Sequence, residues 1–367
     1  CKRGPVRSRD KAGMVRKRNP HLIVLNKVLK SHLTSNETSD QLSNRKEKNQ
    51  MKEISFNEFT KQLKAALYRR LDRETEIRIH ETAKNNGITY QGMVIMKKGC
   101  NISPNIRLDG FYASFKEQIS TLEEIADEIV DIFENGQKDS SLDLNFFTDF
   151  QRAKERIMFK IVNYEGNRKR LENLPYMKFL DLAVTFYYNV EQEEIPGINA
   201  SIQIEKSHLE LWGIDEGTLY DLALENTVRK MPASFRTIFD IILNILEEDG
   251  ITPGEKAMED FKEKSDQVPM YVLTNQKNYF GAAALYYPGM LKKIGMTLKT
   301  DLIVLPSSIH EVILLPAEKW TDYDDLNEMI RDINENHVAK EEVLSDHFYY
   351  YDLERDELRM PDFWKKA

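Results

Sequence analysis

Three polar side chains that could do chemistry lie within four positions of one another near the C-terminal end of the chain. They are Ser308, His310 and Glu311, in the stretch "LIVLPSSIHEVILLP". A serine hydroxyl beside a histidine base and an orienting carboxylate is the arrangement that acyl-transfer enzymes use. The stretch therefore suggests a hydrolase or transferase site in the Ser307–Glu311 loop.

The alternative is a structural hairpin turn with a half-buried histidine, and the sequence favours it. Both flanking runs are apolar at every position, which predicts strands covered on both faces and a polar turn between them. No glycine flanks Ser307 or Ser308, and no G-x-S-x-G elbow occurs. The backbone donors of an oxyanion hole are thus not indicated, and Ser308, His310 and Glu311 are weak catalytic candidates.

Motifs for cofactors and metals are missing from the sequence. No G-x-x-x-x-G-K-[ST] or G-x-G-x-x-G phosphate cradle occurs, and the His-Glu pairs at His80 and His310 lack the second histidine of a zinc helix. The two cysteines, Cys1 and Cys100, lie far apart, which argues against a disulfide framework and favours a reducing compartment. The sequence predicts no cofactor, no metal site and a cytoplasmic location.

Composition places the chain among globular proteins. It has 367 residues, of which 41% are hydrophobic and 31% charged, so a core can form without metal or disulfide. No apolar run approaches the roughly 20 residues of a membrane helix. The alternation of helical and extended patterns predicts an α+β protein with mixed helices and mainly antiparallel sheets.

The first 50 residues differ from the rest of the chain. Residues 1–50 hold 13 lysines and arginines against 4 aspartates and glutamates, whereas the chain as a whole has a net charge of −8. Since Met51 opens an amphipathic helix almost at once, residues 1–50 are predicted to be a disordered or non-native extension. A nucleic-acid-binding arm is the less favoured reading, and the acidic body makes nucleic acid an improbable partner elsewhere.

Residues 51–140 are predicted to form an N-terminal α+β unit. A helix starts near Phe56, two extended runs follow in 88–112, and "STLEEIADEIVDIFENG" is predicted as a helix with a Ser120–Glu123 capping box. The polar stretch 136–145 is the best candidate for a linker.

Residues 141–265 are predicted to form a middle unit and residues 266–367 a C-terminal unit. In the middle unit, "FLDLAVTFYYNV" ends in a strand, "SIQIEKSHLELWGID" is a hairpin with "HLELW" as its second arm, and two helices follow. The C-terminal order is strand, helix, strand, strand, helix, strand, as in a split β-α-β sandwich. A hairpin precedes an acidic helix in all three units, which suggests either an ancient duplication or recurrence of a common motif.

Several long, collinear segments resemble a bacterial family of unknown function, number 5688. The segments are "NISPNIRLDGFYASF", "TLEEIADEI", "FLDLAVTFYYNV", "SHLELWGIDEGTLYDLALENT", "MYVLTNQKNYFGAAALYYPGMLKKIG", "LIVLPSSIHEVILLP" and "EEVLSDHFYYYD". The resemblance covers Met51 to the end, so 51–367 is expected to be one family domain. It implies no activity, cofactor or catalytic residue. The functional prediction is a binding or interaction protein, with a protein as a possible partner.

Overall fold

The computed structural model describes most of the chain from residue 54 onward. The described residues are 54–72, 74–98, 103–136, 145–190, 200–248, 250, 254–267, 269–306, 308–319 and 324–361. Several predictions fall outside these ranges, namely those on residues 1–50, on Cys100, on Ser307 and on the linker at 137–144.

The N-terminal unit packs three helices with a three-stranded antiparallel sheet. Its elements are α1 (Phe56–Tyr68), β1 (Thr75–Ala83), β2 (Thr89–Lys97), β3 (Asn105–Arg107), α2 (Asp109–Lys116) and α3 (Leu122–Gly136), with strand order β1-β2-β3. The apolar stripes of α1 and α3 meet over the sheet, where Phe59 and Phe133 are fully buried. The helical spacing of the sequence thus predicts this core correctly.

Two local predictions in this unit are wrong. The capping pair of α3 is Thr121 and Glu124, whose side chains bond each other's backbone N–H groups at 3.2 and 2.8 Å. Ser120 instead faces Ser114, with 3.2 Å between the hydroxyl oxygens. The run after Asn105 is extended only through β3, because the residues from Asp109 turn into α2.

The middle unit is built on a second antiparallel sheet. Its elements are α4 (Asn145–Thr148), α5 (Phe150–Ala153), β4 (Ile157–Asn163), α6 (Arg168–Leu171), β5 (Tyr176–Phe179), β6 (Leu182–Val190), β7 (Ala200–Gln203), α7 (Lys206–Trp212) and α8 (Glu216–Lys230). The central strand β6 pairs with β4, β5 and β7. Because β6 is buried along almost its whole length, this sheet is covered on both faces.

The predicted hairpin in the middle unit is wrong. The segment "HLELW" is helical and belongs to α7, which buries Leu209 and Trp212 one turn apart. Gly213 ends the helix with φ of 67°, a left-handed conformation that glycine adopts without strain. The alternating pattern predicts a strand, but the i, i+3 spacing of Leu209 and Trp212 places both on the buried side of a helix. The hairpin-before-helix recurrence therefore does not hold in this unit.

The C-terminal elements form a six-stranded antiparallel sheet with helices on both faces. They are β8 (Ala233–Thr237), α9 (Ile238–Glu248), α10 (Glu255–Gln267), β9 (Tyr271–Asn275), α11 (Met290–Leu298), β10 (Leu302–Leu305), β11 (Val312–Pro316), α12 (Asp324–Asn336), β12 (Tyr349–Asp352) and β13 (Glu357–Arg359). The strand order is β13-β12-β10-β11-β9-β8. All residues of β10 and β11 are buried, which confirms the prediction drawn from their unbroken apolar runs.

The sheet extends beyond the predicted strands at both edges. Residues 233–237, which were predicted to open a helix, form β8 and pair with β9, and the unpredicted β13 pairs with β12. One continuous apolar core joins β4 and β6 to β10 and β11. The unit boundaries at 140 and 265 stay predictions. Strand β8 lies before the boundary at 265 in the sequence, yet it pairs with β9, which lies after it.

The structure confirms the α+β class, with mainly antiparallel sheets. Among the described residues, no helix combines the length and the apolar character that a membrane span requires.

Candidate functional site

The 308–311 turn is tied to its surroundings by hydrogen bonds that leave the serine away from the imidazole. Ser308 is 3% exposed, pairs with Val343 in an isolated bridge, and accepts a 3.1 Å hydrogen bond from the main-chain N–H of His310 through its Oγ. Glu311 is buried at 7% exposure. Within the part of the chain that the structure describes, no hydrogen bond joins the Ser308 hydroxyl to the His310 imidazole.

The His310 ring is oriented by two neighbours on other segments. Its Nδ1 accepts a 3.3 Å hydrogen bond from the Phe280 N–H, and its Nε2 lies 3.8 Å from Glu342 Oε1. The ring is nearly parallel to that of Phe280, at 7° with 5.9 Å between centroids. The turn thus brings the predicted histidine to an aromatic ring and not to the predicted serine.

Phe280 is held in an unusual backbone conformation by a compact loop after β9. The side chain of the buried Asn275 accepts from Lys277 N–H at 3.0 Å and donates to the Tyr279 carbonyl at 2.8 Å. Phe280 itself has φ of 51°, a left-handed conformation that is unfavourable for a bulky side chain. Such strain persists only where surrounding contacts enforce it, and it concentrates at functional sites.

The residue after Phe280 must be glycine for the loop to pack. A Cβ on Gly281 would overlap Thr274 Oγ1, the His310 carbonyl oxygen and the Asn275 nitrogen. The Thr274 hydroxyl donates a 2.8 Å hydrogen bond to the same His310 carbonyl. The loop and the 308–311 turn therefore form one interlocked structure that fixes the Phe280 ring.

Lys160 lies against the Phe280 ring. It is the fourth residue of β4, in the otherwise apolar run "IMFKIV", and its side chain is half-buried. Its Nζ lies 4.5 Å from the Phe280 centroid and 5.7 Å from the centroid of the buried Tyr187. Aromatic faces attract an ammonium group, but they do not neutralise its charge.

The charged groups that act on Lys160 are themselves positive. Burial, together with repulsion from Arg170 and Lys84, lowers the pKa of Lys160 to about 7. Arg170 is also half-buried, and burial lowers its pKa in spite of the opposing charge of Glu205. A cationic cluster of this kind is disfavoured in a partly desolvated place unless an anion compensates it.

The described residues provide no such anion at hydrogen-bonding distance. Within the described ranges, neither Lys160 Nζ nor the Arg170 guanidinium has a carboxylate within 4 Å or a side-chain hydrogen bond. Thr185 pairs directly with Lys160 across β4 and β6 and so shares its face of the sheet. The Thr185 Oγ1 is buried and has no hydrogen-bond partner among the residues described. Two cations and one hydroxyl on this face thus have unused donors.

Lys84 comes from the N-terminal unit, next to a turn whose asparagines hydrogen-bond to the other two units. Asn86 donates 2.8 and 2.7 Å hydrogen bonds to the Lys340 and Val343 carbonyls, and it exchanges hydrogen bonds with the Asn167 side chain. The same 340–343 segment holds the 308–311 turn, since Ile309 N–H donates to the Glu342 carbonyl at 2.9 Å. All three predicted units therefore contribute to the surroundings of Lys160.

We call this region the basic aromatic face, defined by Lys84, Lys160, Arg170, Thr185, Phe280 and His310. Its chemistry suits an anionic group that accepts hydrogen bonds, with ring surface beside it for a planar or apolar portion. Sequence reasoning missed every member except His310. The one available signal was a lysine inside an apolar strand, because a charge at such a position needs a partner or a function.

Residues 56–353 match the model of a family described as a family of unknown function (DUF5688). The chain, an α+β protein with a basic aromatic face, belongs to this family. The matched segment contains all six residues of the face. No curated protein and no solved structure matches the chain. The described residues contain no group of three or more His, Cys, Asp and Glu side chains placed to hold a metal ion.

Proposed function

We propose that this protein binds a small anionic molecule on the basic aromatic face. The observation that carries the proposal is the pair of half-buried cations, Lys160 and Arg170, for which the described residues offer no carboxylate within 4 Å. A bound carboxylate or phosphate would supply the missing charge and accept the hydrogen bonds that these groups and Thr185 leave unused.

The construction of the face supports a binding role over an incidental one. An uncompensated lysine inside a strand lowers the stability of the folded state, and the left-handed backbone at Phe280 adds a cost of about 1 to 3 kcal/mol. Replacing Lys160 by an apolar residue would remove the first of these costs. A protein that keeps both features gains something from them, and anion capture is the function that matches their chemistry.

Inorganic phosphate and benzoate are the probes for this proposal. Phosphate tests an anion without a ring, and benzoate tests a carboxylate attached to an aromatic ring. Binding is measured by isothermal calorimetry, and thermal stabilisation is recorded at constant ionic strength set with sodium chloride. We expect one-to-one binding of at least one probe, weakened about tenfold or more in Lys160→Met and in Arg170→Met.

Lys178→Met is the matched control. Lys178 lies on β5 of the same sheet, with Nζ 4.5 Å from the Tyr164 centroid, but its side chain is exposed. Its replacement should leave binding within about twofold. Absence of binding to either probe at constant ionic strength, or an equal loss in the Lys178 variant, contradicts the proposal.

The other functional predictions stand beside this one as proposals. A hydrolase or transferase role for the Ser307–Glu311 loop gains no support from the contacts of Ser308, whose hydroxyl caps the turn. A cytoplasmic location is proposed because Cys1 and Cys100 lie far apart in the sequence, which favours a reducing compartment. A protein partner at the acidic helix faces is proposed as well.

A further inference from the structure

We propose that Lys160 is a nucleophile that captures a small oxo acid, a molecule carrying a carbonyl group next to its carboxylate, as a covalent imine. This inference rests on the proposed function, since it assigns the ligand class of the same face. The three observations behind it are the position of the amine, the charges around it and the donors beside it.

The position of the amine leaves it free to react. Lys160 Nζ contacts the faces of Phe280 and Tyr187 and makes no hydrogen bond or ion pair within the described ranges. The residue as a whole is only partly buried. Lysines that form imines are commonly activated by an apolar surrounding or by an adjacent cation. Lys160 has both.

Burial and the surrounding positive charges bring the pKa of the amine close to physiological pH. The pKa of Lys160 is lowered to about 7 by burial and by the charges of Arg170 and Lys84. Tyr187, whose ring lies next to the amine, has a pKa that is raised by burial, so it stays neutral and adds no negative charge. About half of the Lys160 side chains then carry the free lone pair at pH 7.

The adjacent donors indicate a carboxylate on the carbonyl compound. Arg170, whose charge acts on Lys160, and Thr185, which pairs with Lys160 across β4 and β6, have side chains without a hydrogen-bond partner among the described residues. In an oxo acid the carboxylate is bonded directly to the carbonyl carbon. An anion held by Arg170 or Lys84 would therefore bring the electrophilic carbon to Lys160.

The reaction is a condensation without oxidant or reductant. The Lys160 lone pair attacks the carbonyl carbon to form a C–N bond, and one of the two amine protons moves to the carbonyl oxygen to give a neutral carbinolamine. Loss of this hydroxyl with the second amine proton, as one molecule of water, gives the C=N bond. Hydrolysis by the reverse path releases the ligand.

Reductive trapping tests the inference on the full chain. The protein is incubated with pyruvate and sodium cyanoborohydride at pH 7, and adducts are located by peptide mass spectrometry. We expect a single predominant adduct at Lys160, formed on the order of tenfold or more faster than at Lys178, because the free-amine fraction governs the rate. With propanal, which has a carbonyl but no carboxylate, the preference for Lys160 over Lys178 should be smaller than with pyruvate.

Lys160→Arg separates this inference from the proposed function. Arginine keeps the positive charge but has no nucleophilic amine, so benzoate or phosphate binding should persist while the pyruvate adduct at this position is lost. Anion binding by the wild type without preferential trapping at Lys160 overturns the imine inference alone. Absence of both anion binding and preferential trapping overturns both proposals.

Discussion

Two basic regions of this molecule differ in how the positive charge of a side chain is compensated. On the N-terminal unit, Arg70 lies 2.6 Å from Glu123 Oε2 and 2.5 Å from Asp127 Oδ1, and these hydrogen bonds raise its pKa. On the basic aromatic face, Lys160 has rings and further cations as neighbours, and its pKa is lowered. In the first region the cation is paired within the protein, whereas in the second the described residues supply no carboxylate within 4 Å of Lys160.

The difference lies in what the neighbouring elements supply. Helix α3 presents carboxylates next to the end of α1, so the two arginines that follow α1, Arg69 and Arg70, find partners within the same unit. Strand β4 is surrounded by apolar and aromatic side chains, and the charged residues that reach Lys160 come from α6 and from the turn after β1. The ion pairs of Arg70 thus indicate a structural role. A half-buried lysine such as Lys160, without a described carboxylate beside it, is a candidate for a functional role.

The largest expected effect comes from breaking the loop that sets the Phe280 ring. Gly281→Ala forces a Cβ into Thr274, His310 and Asn275, and it should lower the free energy of unfolding by about 3 kcal/mol. Chemical denaturation measures the loss. Gly110→Ala is the control, because nothing lies within 4 Å of a Cβ there. Equal stability of the two variants would show that the loop does not hold the ring in this way.

The second prediction concerns the pH dependence of the Lys160 charge. The folded state releases the Lys160 proton near pH 7, whereas the ordinary value is 10.5. Between these values the unfolded state binds the extra proton, so this group's contribution to stability rises with pH. Below pH 7, Lys160→Met should be more stable than the wild type by about 1 to 2 kcal/mol, after allowance for solvent screening.

The advantage of Lys160→Met should shrink as the pH rises from 7 towards 10.5. Urea denaturation in chloride-containing buffers without phosphate or carboxylate measures it, since a bound anion would mask the effect. The flanking cations Arg170 and Lys84 and the ring of Tyr187 are present in both proteins, so their contributions cancel in the difference. A difference that stays constant across this range would mean that Lys160 titrates normally.

A smaller effect is expected from His310→Ala. The imidazole accepts one hydrogen bond from Phe280 and stacks on its ring, so its loss should cost about 1 kcal/mol. Anion binding should weaken only modestly, and any hydrolytic activity on an ester panel should be unchanged. An activity that disappears in this variant while the fold is retained would favour the Ser307–Glu311 loop as a catalytic site.

The smallest effect should come from the compensated region. Arg70→Met removes ion pairs at a largely solvated surface, so the loss of stability should be slight and should decrease further in high salt. Denaturation at low and high sodium chloride concentration measures it. A stabilising effect like that of Lys160→Met would erase the contrast between the two regions.

Residue patterns in the sequence determine much of this protein. Helical spacing identifies α1 and α3, and unbroken apolar runs identify β10 and β11 as strands covered on both faces. Both inferences succeed because burial leaves a local pattern in the sequence. A helix buried on one face has apolar residues at helical spacing, and a strand buried on both faces has an unbroken apolar run. The same sequence patterns also predict the α+β class, and the quoted segments show the family resemblance from Met51 onward.

Only the tertiary structure decides the remainder. Residues 233–237 become β8 because β9 lies beside them, and "HLELW" becomes α7 because Leu209 and Trp212 pack on one side. The basic aromatic face combines residues that lie far apart in the sequence, from Lys84 to His310, and only Lys160 stands out locally, as a lysine in an apolar strand. The partners of a charge are set by neighbours in space, so the sequence alone does not reveal that no described carboxylate lies within 4 Å of Lys160.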